Sequence, residues 1–584
     1  MVRLHRTARR GTHVGCVTAA LSALAPLAPD HEIAAQAIAL AGFAKSYIQS
    51  LSESTLRLVG FGPSGSAWRT SAPTIQPSRI AAALDAFAAR HQARPVAKRI
   101  GLHGRIARML DASWWRRHLR RQLLRTADDD AHARGDVRRA RQVYLSEPAY
   151  ARMIERAHQN AAKIAGLEVA CDDESIPLAD VVAGSVTNPR IRRAEMMMRC
   201  AGFEKMAEFL GHEAIFLTLT CPSRFHRFTG SGKPNPAWSG ATPNDGQRYL
   251  TALWARVRAA LKRRAIHYYG FRVAEPHHDG CPHWHMLLFV DPAQRGWFSA
   301  SDFVAGKARH GAGLVGLIGA ATLADTPSER GAVDHRFTAE LIDPSKGSAT
   351  GYIAKYISKN LDGLTEQGES VGLDFASGTD TRDGAPRVRA WASLRGVRQF
   401  QQLGGPSVTV WRELRRLRDA GPTDTEQLEL FEKSRAAADR GDWMAYCMLM
   451  GGPETPPRDM PLRPAYVDRM SVAYGDSQPR VAGITGPHGY TCTRVKQWTI
   501  QRLGAGETNK AQTVWSGLVK RDPSFAAAWQ RLSSGFGIWG EGEASPPWTR
   551  VDNCTADDAP QAPPAQAQHP ARGRFAAAGP PGPS

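Results

Sequence analysis

The order of hydrophobic and polar positions divides the chain into a helical first part and a mixed second part. Over residues 1–210 the apolar residues recur at helical spacing between turn-forming clusters, and no strong strand pattern is present. Near residue 213 the pattern changes, because residues 214–220 form an apolar and β-branched run of strand length. The elements predicted beyond it are a helix opened by the polar cluster 243–246, strands at 267–273, 283–290 and 337–342, and a helix over about 347–360. This order is typical of an α+β domain with a central antiparallel sheet flanked by helices.

Four regions are expected along the chain. Residues 1–210 are predicted to form a helical, basic N-terminal region, and residues 211–365 an α+β domain that carries the chemistry. Residues 366–540 are predicted to be an accessory, mainly helical region. From 541 to 584 the chain is dominated by Pro, Ala, Gln and Gly, and so few apolar residues remain that this tail is predicted to be disordered.

The charge balance indicates a polyanionic partner. The chain has 75 Lys and Arg against 55 Asp and Glu, which gives a formal net charge of +20. No run approaches the roughly 20 uninterrupted apolar residues of a membrane span, and the apolar stretch 14–28 is interrupted by Pro26. The eight cysteines include no CxxC pair, which favours a reducing, cytoplasmic compartment. We therefore expect a partner that is nucleic acid, and no membrane association.

The first candidate site is a histidine pair at the start of an apolar strand. His283 and His285 are two positions apart, so their side chains are expected on one face of the strand, with Trp284 on the other. Taken alone, such a pair is more often a surface or core-edge feature than a metal site.

A carboxylate upstream strengthens the metal interpretation. Glu275 precedes the turn 276–280, and a hairpin through that turn brings its carboxylate beside the two imidazoles. Within the turn, His277 and His278 are alternative ligands, although turn residues next to glycine are expected to be solvated. Two imidazoles and one carboxylate suit Mg²⁺ or Mn²⁺ with open coordination positions for a phosphate.

A second cluster lies on the helix predicted after the last strand. Tyr352 and Tyr356 are spaced i and i+4, which places their phenols on one helical face with Lys355 and Lys359 alongside. A phenol with a pKa of about 10 is a poor nucleophile at neutral pH, so attack on a phosphodiester requires nearby cations and a polarised phosphate. Without other support, the pattern is more often a helix whose tyrosines merely pack.

These segments occur in the order of the three HUH endonuclease motifs, and their wording resembles one family. The segments are FLTLTCPS at 216–223, PHWH at 282–285 and GYIAKY at 351–356, with further similarity in NPRIRRAE at 188–195, VRQFQQ at 397–402 and GGPS at 404–407. They are similar to the bacteriophage replication gene A protein family, the two-tyrosine branch of rolling-circle initiators, over roughly residues 140–420.

The resemblance implies a metal-dependent DNA endonuclease with strand-transfer activity that nicks a single-stranded origin. It assigns Tyr352 and Tyr356 as nucleophiles and Lys355 as the stabiliser of developing phosphate charge, with Lys359 as a weaker candidate. It also assigns His283, His285 and Glu275 as the ligands of Mg²⁺ or Mn²⁺. The products would be a 5′-phosphotyrosine and a free 3′-OH that a host DNA polymerase extends in the bacterial cytoplasm. Since the sequence has no GxxxxGK[ST] phosphate loop, a host helicase is expected to unwind the DNA.

Two other functions stay open on sequence alone: an HUH relaxase or transposase, and a non-catalytic single-stranded DNA-binding protein. Basic segments could contact DNA in any of these. The segment 114–121 combines two tryptophans with four arginines, but an amphipathic helix with buried tryptophans is favoured. The arginines of 412–418 are expected to be solvated, and the better DNA-binding candidates surround Trp391, namely Arg387, Arg389, Arg395 and Arg398.

Overall fold

The computed structural model describes residues 28–50, 77–90, 96 and 100–503, except for 140, 173, 305–311, 365–369, 371, 374–377, 379, 418–425, 472 and 488. The tail at 541–584 and most of the apolar stretch 14–28 lie outside the described residues. Among the helices described, none is both long and apolar enough to cross a membrane. The cysteines in the described ranges are free thiols.

Most of the elements described before residue 211 are helices. They are α1 (Asp30–Ser50), α2 (Pro77–Arg90), α3 (Leu102–Leu110), α4 (Ala112–Arg134) and α5 (Glu147–Ala165). After them come β1 (Leu167–Cys171), β2 (Glu174–Pro177), α6 (Leu178–Ala183) and α7 (Pro189–Leu210). The expectation of no strong strand before residue 210 missed β1 and β2, because these strands have only five and four residues and are too short to produce a strand pattern.

The middle of the chain has the predicted alternation of strands and helices. Its elements are β3 (Glu213–Thr220), α8 (Pro243–Arg263), β4 (Tyr269–Pro276), β5 (Pro282–Val290), α9 (Pro292–Arg295), α10 (Ala300–Val304), α11 (Gly313–Leu323), α12 (Ala332–His335), β6 (Phe337–Leu341), α13 (Ala349–Leu361), α14 (Thr381–Arg395) and β7 (Phe400–Leu403). Helix α8 begins where the polar cluster indicated, since Thr242 and Asp245 form a reciprocal capping box.

The last described part mixes helices and strands. It contains α15 (Val408–Leu414), α16 (Glu426–Asp439), α17 (Trp443–Leu449), β8 (Arg463–Met470), β9 (Ser477–Gly486), β10 (Gly489–Cys492) and β11 (Thr499–Arg502). Strands β8, β9 and β10 form one sheet, and β11 pairs with β1 in another. The expectation of a mainly helical region thus missed these strands, because most side chains of β8 and β11 are exposed and leave no alternating apolar pattern.

A five-stranded sheet in the order β6-β3-β5-β4-β7 forms the centre of the molecule, and all its pairings are antiparallel. The predicted antiparallel α+β architecture is confirmed. The edge strand β7, however, lies beyond the expected domain end at residue 365, where a four-residue strand gives too short a pattern to detect.

The two faces of this sheet are covered by different helices. On β3, Ile215, Leu217 and Leu219 belong to a core with α8 and α11, whereas Phe216 belongs to a core with α7 and α13. On β5, Leu287 and Phe289 lie on the α13 side. The period-two alternation therefore places odd-numbered positions of β5, including those of the histidine pair, beneath α13.

The tryptophans of the segment 114–121 are core residues. Trp114 and Trp115 are buried, and the indole nitrogen of Trp115 donates to the carbonyl of Met109 at 2.7 Å. The favoured interpretation of this segment is thereby confirmed for its aromatic residues, and its arginines lie on the outer side of α4.

Candidate active site

Three potential metal ligands converge on the α13 side of the sheet. Strands β4 and β5 pair so that Glu275 lies opposite His283, and His285 follows two positions along β5. One ligand atom from each of the three residues lies within 4.8 Å of the other two. The hairpin thus brings together the two histidines and the carboxylate that the sequence pattern selected.

Neighbouring groups orient these side chains. Thr218 of β3 pairs with His285 of β5, and its hydroxyl lies 3.0 Å from Nδ1 of that imidazole. Nε2 is then the ring nitrogen left to bind a metal ion. Glu275 accepts from Lys359 Nζ at 3.3 Å and from the amide of Asn360. Asn360 was not identified from the sequence, because an amide at the end of a helix carries no recognisable signal until the strand beside it is placed.

The protonation states favour metal binding. Burial lowers the pKa of His285 to about 4 and lowers the pKa of His283 well below its ordinary value, with His277 and Lys359 adding to the effect on His283. Both imidazoles are therefore neutral at pH 7, as metal ligands must be. Nδ1 of His283 is buried and has no hydrogen-bond partner among the described residues, which fits a nitrogen that serves as a ligand. Two nitrogens and a carboxylate oxygen fit a divalent cation.

The turn between the strands is buried, contrary to the expectation that it is solvated. His278 is 7% and Asp279 is 2% exposed. The backbone N–H of Tyr144 donates to His278 O at 3.3 Å, and Trp391 Nε1 donates to Gly280 O at 3.0 Å. Segments distant in sequence cover the turn. The turn residues alone therefore predicted exposure of His278 incorrectly.

His277 remains close to the ligand cluster. Its ring centroid lies 4.0 Å from that of His283 and 5.0 Å from that of His226. His226 lies 3.3 Å from Asp279, and burial with the His226 charge lowers the pKa of His277 to about 3. Among the described residues, the compact group of potential ligands contains Glu275 rather than His277.

The two tyrosines of α13 differ in their surroundings. Helix α13 begins at the cap Ser348 and buries Ile353 and Ile357 against the sheet, which holds the tyrosine face in place. The ring of Tyr356 lies 4.1 Å from the His285 ring between centroids. Tyr352 is 41% exposed, and its hydroxyl donates to Glu340 Oε1 at 2.7 Å.

Both phenols have raised pKa values for different reasons. For Tyr356 burial is the main cause, and the charge of Glu275 adds to it. For Tyr352 the hydrogen bond to Glu340 raises the pKa of the phenol. Each phenol is therefore protonated at neutral pH, so a nucleophilic role requires cationic help.

Most of these side chains line one cavity of about 680 Å³. Its wall includes Glu275, His283, His285, Tyr356, Lys355 and Lys359, whereas Tyr352 lies outside its lining. Lys355 is exposed at the cavity edge, and Lys359 is half-buried beside Glu275. The weaker lysine candidate is thus the one that contacts a potential metal ligand.

Several cations of this cavity were not predicted from the sequence. Arg139, Arg330 and Arg336 line it although they lie on segments that gave no motif. By contrast, the arginines expected to contact DNA near Trp391 have internal partners: Arg387 donates to Val143 O at 2.9 Å, and Arg395 is paired with Asp128 and Asp129. In the run after Val410, Arg412 pairs with Glu195 at 2.7 Å, and Arg418 lies outside the described residues.

Comparisons with known proteins agree with this arrangement of segments. The family model for the bacteriophage replication gene A protein (GPA) matches residues 72–364. The replication gene A protein of Escherichia phage 186 is 39% identical over 403 residues, covering 68% of this chain and 55% of the relative. The replication protein of Haemophilus phage HP1 is 34% identical over 455 residues, covering 77% of this chain and 53% of the relative.

A prophage relative gives the same result. The probable replication endonuclease from a prophage-like region of Escherichia coli O6:H1 is 35% identical over 429 residues, covering 71% of this chain and 51% of the relative. The chain spans about half the length of these curated relatives. No solved structure matches it. The family match covers four of the five strands of the central sheet and the tyrosine helix, and it shows that the chain belongs to the bacteriophage replication gene A protein family.

Proposed function

We propose that this chain is a metal-dependent endonuclease of the HUH type that nicks single-stranded origin DNA and initiates rolling-circle replication. The observation that carries the proposal is the placement of Tyr356 against His285 in the cavity that also contains Glu275 and His283. A phenol, three potential metal ligands and two ammonium groups line one cavity, and this combination supports metal-assisted cleavage of a phosphodiester. The relatives named as replication proteins and replication endonucleases support the replicative role.

His283, His285 and Glu275 would hold Mg²⁺ or Mn²⁺, and polarisation of the scissile phosphate is the chemistry that such an ion supplies when bound. The Tyr356 oxygen attacks phosphorus, the bond from phosphorus to the 3′ oxygen breaks, and the 5′ side becomes a phosphotyrosine while the 3′ side leaves as a hydroxyl. Lys355 and Lys359 place positive charge beside the phosphate and lower the cost of removing the phenolic proton. After one round, Tyr352 would attack the regenerated origin, forming a second phosphotyrosine and releasing a 3′-OH. That 3′-OH would attack the Tyr356 phosphotyrosine, which closes the circle and returns the Tyr356 phenol.

The free 3′-OH gives a host DNA polymerase its primer, and a host helicase separates the strands. This order of events needs two nucleophiles that can act in turn. The spacing of Tyr352 and Tyr356 by one helical turn supplies them on the same face of α13.

A direct experiment uses the purified protein with end-labelled single-stranded fragments that tile its own genome, in Mn²⁺ or in EDTA. We expect one fragment to give a denaturation-resistant protein–DNA adduct in Mn²⁺ and not in EDTA. The variant with both Tyr352→Phe and Tyr356→Phe is expected to bind the fragment without forming the adduct. An adduct that persists in this double variant would disprove the assignment of the nucleophiles, and tight binding with no adduct to any fragment would favour a non-catalytic DNA-binding protein.

A further inference from the structure

A second cavity, of about 580 Å³, lies between the N-terminal helices and α14. It is lined by residues of α1, α4, α5 and α14, and it includes the outer side of the segment 114–121. Six arginines line it, namely Arg117, Arg120, Arg121, Arg152, Arg156 and Arg389. The acidic residues of the lining are Asp30 and Glu155. The cavity therefore concentrates positive charge well beyond what its own carboxylates balance.

Most of these arginines have partners within the protein. Arg120 forms two hydrogen bonds with the Asp30 carboxylate, at 2.9 and 2.7 Å, and Arg152 lies 3.4 Å from Glu155. Both acidic groups of the lining are thus used. Within the described ranges, Arg121 and Arg156 form neither an ion pair nor a hydrogen bond. These two guanidinium groups carry donors that a ligand can occupy.

Positive charges of neighbouring arginines act on Arg156. Burial lowers the pKa of Arg156, and the charges of Arg120, Arg116 and Arg121 lower it further against the opposing effect of Asp30. An anion placed among these groups removes that repulsion, and a guanidinium binds phosphate oxygens in a two-pronged geometry.

The cavity wall is also partly apolar, which bears on the kind of anion. Leu123 and Leu124 of α4 and Met153 of α5 lie beside the arginines. An inorganic phosphate gains nothing from apolar contacts, whereas the sugar and base of a nucleotide unit can make them. A phosphate that is part of a nucleic-acid chain fits both kinds of lining.

Helix α14 connects this cavity to the candidate active site. Thr381, its first residue, lines the active-site cavity, and Arg389 and Ser393 line the arginine cavity. Arg389 and Ser393 follow Thr381 by 8 and 12 residues along the helix, which corresponds to about 12 and 18 Å at a rise of 1.5 Å per residue. Arg389 also donates to the carbonyl of Leu361, at the end of the tyrosine helix α13.

We propose that the arginine cavity between α1, α4, α5 and α14 binds the phosphodiester backbone of DNA that extends from the active site, with Arg121 and Arg156 as its principal phosphate ligands. The proposal rests on the proposed function in that its ligand is the strand that the active site cleaves. It assigns the N-terminal helical region a binding role that is separate from the chemistry.

The test measures binding without cleavage. Fluorescence anisotropy of labelled oligodeoxythymidylates of increasing length is recorded in EDTA for the wild type and for the variant with Arg121→Ala and Arg156→Ala. We expect the long oligomers to bind the variant about tenfold more weakly, and the slope of log affinity against log salt to fall by about 1.4, since each single-strand phosphate contact contributes about 0.7. The shortest oligomers that bind are expected to show a smaller difference, because they can bind in the active-site cavity without reaching the arginine cavity.

Three controls make the result specific. The matched control for the single variant Arg121→Ala is Arg458→Ala, which also removes one positive charge, from an exposed position that lines neither cavity. The variant with Arg121→Lys and Arg156→Lys keeps both charges and should recover most of the salt slope. Thermal melting followed by circular dichroism identifies a folding defect, and in that case the single variant Arg121→Ala, at an exposed side chain, decides the question.

Each outcome is decisive. Unchanged affinity and slope in the double Ala variant would overturn the proposal, and so would a loss of affinity for dATP or inorganic phosphate without a loss for the oligomers, which would indicate a site for free phosphate compounds. If the wild type forms no covalent adduct but the affinity difference is found, the proposed endonuclease function fails and the binding site stands. If the adduct forms and the affinity difference is absent, the proposed endonuclease function stands and the proposed binding site fails.

Discussion

The ring of Tyr356 lies against the imidazole of His285, with centroids 4.1 Å apart, while the hydroxyl of Tyr352 is hydrogen-bonded to Glu340. The two tyrosines are therefore not equivalent in the absence of DNA. We expect Tyr356→Phe to reduce the first cleavage of an origin oligonucleotide by more than about 100-fold, because the phenol nearest the ligand cluster is lost. Tyr352→Phe should retain most of this cleavage. Denaturing electrophoresis of adducts formed in a single turnover measures both, and equal losses would contradict the assignment.

The Glu340 carboxylate holds Tyr352 in its protonated form, since the hydrogen bond raises the pKa of the phenol. Glu340→Gln should lower that pKa, so more phenolate is present at a given alkaline pH. In a Tyr356→Phe background, we expect the remaining cleavage to begin at lower pH when Glu340→Gln is added. A pH–rate profile of adduct formation tests this, and Glu329→Gln, at a carboxylate that lines the cavity and forms no hydrogen bond with Tyr352, serves as the control. An unchanged profile would show that Glu340 does not govern Tyr352.

Removal of a ligand side chain should weaken metal binding in the folded protein. We expect His283→Ala and Glu275→Gln each to weaken Mn²⁺ binding by at least about 10–100-fold, the scale found when even the partners of ligands are changed. Calorimetric titration with Mn²⁺ gives the affinity without reference to nicking. His267→Ala, an exposed histidine outside the cavity, should leave the affinity unchanged. Wild-type affinity in both ligand variants would rule out this site.

A buried ion pair links the N-terminal region to α14. The side chains of Asp128 and Arg395 are both 0% exposed, and the backbone N–H of Ser146 also donates to Asp128 at 2.6 Å. Burial by itself raises the pKa of Asp128, but Arg395 and the hydrogen bonds outweigh it and hold the pKa well below its usual value. We expect Asp128→Asn to lower the free energy of unfolding at pH 7 by roughly 3 kcal/mol, because a buried charge loses its partner.

The pH dependence of this pair has a definite sign. The folded pKa is below the unfolded value of about 3.9, so the unfolded chain takes up the proton first. The stabilisation is present above that value and is lost as the pH falls below it. The difference in unfolding free energy between wild type and Asp128→Asn should therefore shrink from about pH 5 towards pH 2. Urea unfolding of the wild type and of Asp128→Asn across this pH range measures the difference. Asp130→Asn, on the exposed side of α4, is the control. A difference between wild type and Asp128→Asn that does not change with pH would show that the ion pair contributes nothing to the pH dependence.

The turn that joins Glu275 to His283 depends on glycine. Gly280 has φ +76°, and a Cβ there would lie 2.6 Å from both His132 Cε1 and Tyr144 O. We expect Gly280→Ala to destabilise the protein by about 1–3 kcal/mol and to weaken Mn²⁺ binding, because the hairpin shifts to relieve these contacts. Gly211→Ala, also at positive φ but with open space around the position, separates backbone strain from steric displacement. Equal effects in the two variants would argue against displacement of the hairpin.

Sequence reasoning succeeded where the signal was local and periodic. The alternation along β5 placed His283 and His285 on one face, and the helical spacing of α13 placed its tyrosines together. It failed where the environment comes from distant segments: the turn of His278 is covered by Tyr144 and Trp391, and β7 joins the sheet from beyond the expected domain end. Neither relationship leaves a pattern in the residues concerned.

The pairing of β1 with β11 has a consequence for folding during synthesis. The hydrogen bond from Thr499 to Ala170 joins residues 329 positions apart, so one edge of β1 stays open until the ribosome has made residue 499. At 5–20 residues per second this interval is roughly 15–65 s. All five strands of the central sheet have been made by residue 403, so the candidate active site can assemble on the ribosome while that edge is still open to other chains.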